Sequence, residues 1–208
     1  MELLVDRAVG DGPTLVLAHG AGAPMDSDFL QHLSAQLVAC GVTVCRFEFP
    51  YMAERRLNGK KRPPNRQPEL IESWMLALEQ VTQRFDGPVF IGGKSMGGRM
   101  AAVVAASVEV RGLICFGYPF HPPGKPDKLR VDTLQQLRVQ TLIVQGTRDK
   151  LGDRHDVESY DLPANIALHW LADGDHDFKP RVRSGYTQDQ HIVTAAQAAA
   201  GFIINAGD

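Results

Sequence analysis

The stretch "VFIGGKSMGGRM", Val89 to Met100, runs from an apolar segment straight into a cluster of glycines around one serine. Two chemistries use such a stretch. A phosphate-cradling loop would employ Lys94 and Ser95 to hold a nucleotide, and a nucleophile elbow would present Ser95 as an attacking hydroxyl. The first requires Gly-x-x-x-x-Gly-Lys-Ser/Thr, so that a slack run of backbone amides can wrap a phosphate. Counted back from Gly93, the leading glycine should stand where the chain has Pro88, and Gly87 is one place too early. The intervening "PVFI" is strand-like and leaves no slack, which argues against a nucleotide site. The elbow needs Gly-x-Ser-x-Gly between a strand and a helix, because the serine backbone is strained and only tiny neighbours avoid collision. Gly93-Lys94-Ser95-Met96-Gly97 meets that pattern, between the apolar run and the alanine-rich "RMAAVVAA".

Working outward, short apolar runs at Thr14 to Ala18, Thr43 to Phe49, Pro88 to Gly92, Leu113 to Phe116, Thr141 to Gln145 and Ala167 to Leu171 read as strands. Helical periodicity marks Ser27 to Ala39, Pro68 to Phe85, Met96 to Ala106 and Gln188 to Ile204. Strands that are continuously apolar are buried on both faces, so the alternation predicts a mainly parallel, doubly wound α/β sheet with helices on both sides. The polar stretch Tyr51 to Glu69 reads as a surface loop over the carboxyl edge of the sheet, where ligands of such sheets bind. With 208 residues, no repeat and no linker, one domain spanning 1–208 is expected.

The net charge of −2, from 22 basic and 24 acidic residues, offers no general attraction to nucleic acid or to an anionic membrane. The first residues are acidic where a signal peptide would be basic, and no apolar run is long enough to span a bilayer. A soluble, cytoplasmic protein is the expectation. Cys40, Cys45 and Cys115 lack metal-type spacing, and the latter two lie inside strand-like runs, so buried free thiols are expected rather than a disulfide.

An elbow serine requires an acid and then a histidine, each just beyond a strand end. "TLIVQGTRDKLG" carries Asp149 in a strand's exit loop, and "ALHWLADGDHDFKP" carries His176 in the next. The order Ser95, Asp149, His176 is therefore the candidate triad. An oxyanion hole should combine the Met96 amide with one from the loop "HGAG" after the early strand. Ala21 is the favoured second donor and Gly22 the fallback, while His19 reads as a residue fixing that loop. A helix cap is expected at Asp26 or Ser27.

"GYPFHPPGKP" should hang over the same edge, which makes Tyr118, Phe120 and His121 candidates for substrate contact or for a proline-stiffened turn. His121 is also the rival base, although it precedes the acid in sequence. Arg55, Arg56, Lys60, Lys61, Arg62 and Arg66 form a basic concentration. Either they keep a polar loop in water or one recognises a substrate carboxylate or phosphate, and the near-neutral chain favours the former.

Taken together, "LAHGAGAPMDSDF", "GGKSMGGR", "GYPFHPPGKP", "VQGTRD" and "DHDFKPRVRSGYT" resemble the α/β-hydrolase superfamily, and within it small dienelactone-hydrolase-like members without a cap domain. The match is similar to a branch of testis-expressed and acetyltransferase-complex-subunit-like proteins and covers nearly the whole chain. The resemblance implies Ser95 as nucleophile, Asp149 as acid and His176 as base. Dienelactone hydrolases use a cysteine nucleophile, and the serine here means that a lactone substrate is not carried over. The expected activity is hydrolysis of a small-molecule carboxylic ester or thioester with no metal or organic cofactor. The alternative is a non-catalytic interaction scaffold, against which a retained strained serine argues.

Overall fold

Consecutive side chains of a strand leave on opposite faces of a sheet, and here both faces are apolar. Leu15 and Leu17 join one buried cluster, while Val16 and Ala18 join another. The same division separates Val44 from Cys45, Phe90 from Ile91, Ile114 from Cys115 and Val144 from Ile143. In a computed structural model, which describes residues 1–207, these two clusters lie above and below one seven-stranded sheet.

The strands are β1 (Leu3–Asp6), β2 (Thr14–Ala18), β3 (Thr43–Phe47), β4 (Val89–Lys94), β5 (Leu113–Phe116), β6 (Thr141–Gly146) and β7 (Ile166–Leu171). Their order is β1-β3-β2-β4-β5-β6-β7. β1 pairs antiparallel with β3, and every other pairing is parallel. Helices α1 (Asp28–Ala39) and α5 (Gln188–Gly207) bury Leu30, Leu33, Leu37, Ile192 and Ala195 against one face. Helices α3 (Gln67–Thr82) and α4 (Met96–Ala105) bury Leu70, Trp74, Ala77, Met100 and Ala101 against the other. From β2 the chain winds one way to β3 and then returns to place β4 on β2's other side. The carboxyl ends of β2 and β4 therefore flank a topological switch point, where the strand order opens a crevice.

Two features differ from the sequence-based expectation. The stretch from Tyr51 to Glu69 is not a loop throughout: α2 spans Pro50–Asn58, and α3 starts at Gln67. Pro50 stands in its first turn and Gly59 closes it in the left-handed region at φ 70°, the residue preferences of a helix start and stop. Only Tyr51 and Met52 of α2 are buried, which leaves little apolar periodicity to detect. The half-buried edge strand β1 is equally faint in sequence. Ser27 does precede α1 with extended backbone, but its hydroxyl makes no capping bond.

Cys45 and Cys115 are buried free thiols, and Cys40 is a partly buried one. Burial pushes the Cys45 thiol up to about 11. Among the described residues no helix is long and apolar enough to cross a membrane.

The start of α4 approaches the sheet so closely that side chains do not fit between them. A Cβ on Gly97 would lie 2.5 Å from the His19 carbonyl oxygen and 2.6 Å from that of Ala18. Because these obstacles are backbone, Gly97→Ala is expected to destabilise the fold by about 1–3 kcal/mol, measured by urea unfolding. A loss below about 0.5 kcal/mol would show that α4 can slide without cost.

Candidate active site

The elbow is built by sterics. Ser95 has φ 52° and ψ −116°, a conformation that non-glycine residues rarely adopt and that costs on the order of 1–3 kcal/mol. Glycines on both sides permit it: a Cβ on Gly93 would meet the Gly97 carbonyl carbon at 2.5 Å, and one on Gly98 would meet the Gly93 oxygen at 2.7 Å. The Ser95 amide donates to Phe116 O at 3.0 Å and its carbonyl accepts from the Arg99 amide at 3.0 Å. The serine is thus held between β5 and the first turn of α4, with its hydroxyl lifted above the sheet.

Two further loops converge on that hydroxyl. Gly146 ends β6, and a Cβ there would sit 2.4 Å from Gly174 O and 2.5 Å from Asp175 O. Glycine at 146 therefore lets the exit loops of β6 and β7 touch. Asp149 and His176 come together as a result, with Asp149 Oδ2 2.7 Å from His176 Nδ1 and His176 Nε2 2.8 Å from Ser95 Oγ. Asp149 is fully buried. Its oxygens also accept from the Leu151 amide at 2.8 Å and from Gln145 Nε2 at 3.0 Å, so the charge is met by hydrogen bonds on every side.

The His176 loop is fastened by charges. Lys94, 7% exposed, donates from Nζ to His176 O at 2.7 Å and pairs with Asp177 at 3.2 Å, with the Phe29 and Phe178 rings within 6.0 Å. Burial lowers its pKa, and Asp177 partly offsets that effect. Asp173, where the loop begins, binds Arg181 through side chain and backbone. The bonds to Arg181 hold its carboxyl down at about 2.

The loop after β2 supplies the facing wall. His19 is buried, its Nδ1 lies 2.7 Å from Gly20 O, and its Nε2 accepts the Phe49 amide at 3.0 Å. Burial lowers its pKa, as suits a neutral ring that accepts at Nε2. Tyr51 Oη donates toward Gly20 O and Ala21 O at 3.2 and 3.1 Å. C=O and N–H of a trans peptide point in opposite directions. Holding Gly20 O toward Tyr51 therefore turns the Ala21 N–H away from it. Met96 opens α4, so its N–H has no acceptor one turn back.

Ser95 and Ala21 border two cavities. The first, about 420 Å³, is lined by Gly22, Phe29, Leu30, Lys94 and His176 among others. The second, about 350 Å³, lies on the Met96 side. Gly22 thus does face the site. Tyr118 and His121 correct the expectation of substrate contact: both are buried and line neither cavity. The Tyr118 hydroxyl is bound to Arg130 O at 2.9 Å, and His121 Nδ1 lies 3.0 Å from Pro122 O, so His121 is not the base facing Ser95.

Three of the six basic residues of this stretch are occupied. Arg56 pairs with Glu48 and Asp26, Arg62 with Glu54, and Arg55 donates to Gly22 O. Sequence reasoning overlooked Tyr51 and Gln145, and weighed Lys94 only as a phosphate ligand. The one signal available was a polar residue ending a wholly apolar run, as Gln145 ends "TLIVQ". Among the described residues no three His, Cys, Asp or Glu side chains gather as a metal site needs.

Comparisons with known proteins agree with this architecture. A family model described as an alpha/beta hydrolase domain matches residues 11–204. An alpha-beta serine hydrolase homologue from Coxiella burnetii superposes with a TM-score of 0.73 at 17% identity, covering 97% of this chain and 90% of that one. Est1E from Butyrivibrio proteoclasticus gives 0.72 at 14% identity, over 98% and 93% of the two chains. A dienelactone hydrolase from Anabaena variabilis gives 0.71 at 18% identity, over 98% and 90%.

Gln145 tests how the acid is held. Its side chain donates to Asp149 and to the Tyr118 and Gly152 carbonyls and accepts the Tyr118 amide. Gln145→Leu strands these buried groups and is expected to lower stability by about 1–3 kcal/mol in urea unfolding. An unchanged midpoint would mean that water replaces the amide.

Proposed function

From its membership of the alpha/beta hydrolase domain family, to which the chain belongs, we propose that this hydrolase acts on a carboxylic ester or thioester through a Ser95–His176–Asp149 triad. The observation that carries the reading is the unbroken line from Asp149 Oδ2 through the imidazole to Ser95 Oγ, at 2.7 and 2.8 Å, on a serine whose backbone is strained.

His176 accepts the Ser95 hydroxyl proton at Nε2 as Oγ attacks the acyl carbonyl carbon. Asp149 holds the Nδ1 proton, fixes the tautomer and stabilises the imidazolium that forms. The carbonyl oxygen becomes an oxyanion in front of the Ala21 and Met96 amides, a contact made in the transition state rather than the ground state. As the tetrahedral adduct collapses, the bond to the leaving oxygen or sulfur breaks, and His176 returns the proton to it. Water then attacks the acyl-enzyme by the same route and frees Ser95. Tyr51 and His19 do not touch substrate. They are positioning residues that orient the Ala21 amide through Gly20 O.

Ser95→Ala is expected to abolish labelling by a fluorophosphonate probe and to reduce ester kcat/KM by about 10⁴-fold or more, at unchanged thermal stability. Combining it with His176→Ala should cost little further, because the groups act as a unit. Undiminished turnover by Ser95→Ala would overturn the mechanism, and a wild-type protein neither labelled nor active would leave the scaffold reading. Tyr51→Phe is expected to lower kcat about tenfold with KM little changed, since a loosened donor weakens the transition state alone. A matched rise in KM instead would make Tyr51 a ground-state contact.

A further inference from the structure

Resting on the serine hydrolase reading, we propose that the acyl half of the substrate ends in a carboxylate, bound between Arg99 and Arg130 in the second cavity beside Ser95. Arg99 lies one helical turn beyond the serine on α4, and Arg130 comes from the segment after β5. Both line the cavity that Ser95, Met96 and Ala21 border. None of the residues lining it is acidic.

These two guanidiniums differ from three other arginines near the site. Arg55, Arg56 and Arg62 are occupied by a carbonyl or by carboxylates. The side chains of Arg99 and Arg130 make no hydrogen bond or ion pair among the described residues, and both are partly buried. Asp132, two residues beyond Arg130, forms no ion pair with either. Burial lowers the pKa of Arg99, and the positive charge of Arg130 lowers it further. Two partly desolvated cations side by side are unfavourable alone, and an anion between them reverses the sign of that interaction. Arginine's planar fork suits a carboxylate in particular.

The two cavities also assign the halves of the ester. The leaving group must depart beside His176 Nε2, which protonates it, and His176 lines the first cavity and not the second. Phe29 and Leu30 give that first cavity an apolar wall, and so the alcohol or thiol portion belongs there. The acyl chain is left to run past Met96 toward the arginines.

The experiment uses the full chain and the mono(4-nitrophenyl) esters of adipic and suberic acid, each paired with its neutral methyl-capped counterpart. For at least one chain length the free acid is expected to show kcat/KM about tenfold or more above the capped ester. Arg99→Gln and Arg130→Gln should each reduce that ratio about tenfold through KM, and Arg99→Lys should restore part of it. If Arg99→Gln fails to fold, Arg130→Gln decides. A wild-type ratio near one, or a ratio that neither substitution moves, overturns the proposal. So does a larger preference for 4-acetoxybenzoate over its methyl ester, which carries the anion on the leaving group. Labelling of Ser95 together with turnover of the capped esters would leave the hydrolase reading standing while this inference falls, whereas loss of both would remove the two together.

Discussion

The contact between the start of α4 and the carboxyl ends of β2 and β4 is the constraint on which the rest depends. Backbone meets backbone there, and Gly93, Gly97 and Gly98 leave no room for a methyl group. That proximity forces the chain to reverse at Ser95 with φ 52°, which lifts the hydroxyl clear of the sheet and leaves the Met96 amide free at a helix start. Strain of this kind persists only where surrounding packing over-determines it. Here two buried clusters on opposite faces of the sheet supply that packing.

Around the elbow, opposite charges have been taken out of water in fixed places. Asp149 lies beneath one edge of the His176 ring and Lys94 under its main chain, joined to Asp177. Neither charge is left uncompensated, as burial demands. Their arrangement makes the imidazole's position a property of two loops and a strand end rather than of one flexible segment. The wall opposite is set in the same manner, with His19 and Tyr51 converging on Gly20 O.

Much of this was legible in sequence because strand ends are legible. Ser95, Asp149 and His176 each stand just beyond the carboxyl end of a strand, so a parallel sheet delivers them to one edge, and their juxtaposition follows from topology. The Tyr118 to His121 segment follows a strand as directly, yet its direction depends on long-range bonds from Gln145 and to the Arg130 carbonyl, which carry no local pattern. α2 was missed because a helix with two buried residues has almost no periodicity, although its proline and glycine marked both ends. Arg99 was invisible for a different reason: its importance lies in lacking a partner, and sequence does not display what a side chain fails to meet.

The free thiols have a consequence for how motion in this protein can be watched. Cys115 lies in the central sheet with its sulfur 3.6 Å from Gly98 O, directly under the first turn of the helix that bears Arg99. Burial raises its pKa, so a reagent meets a protonated, covered sulfur until α4 parts from the strand. Cys40, partly buried at the end of α1, needs no such separation. Alkylation kinetics read by mass spectrometry would therefore act as a two-channel clock. The Cys40 channel would report solvent access at rest, and the Cys115 channel the frequency with which the helix carrying the elbow comes off the sheet.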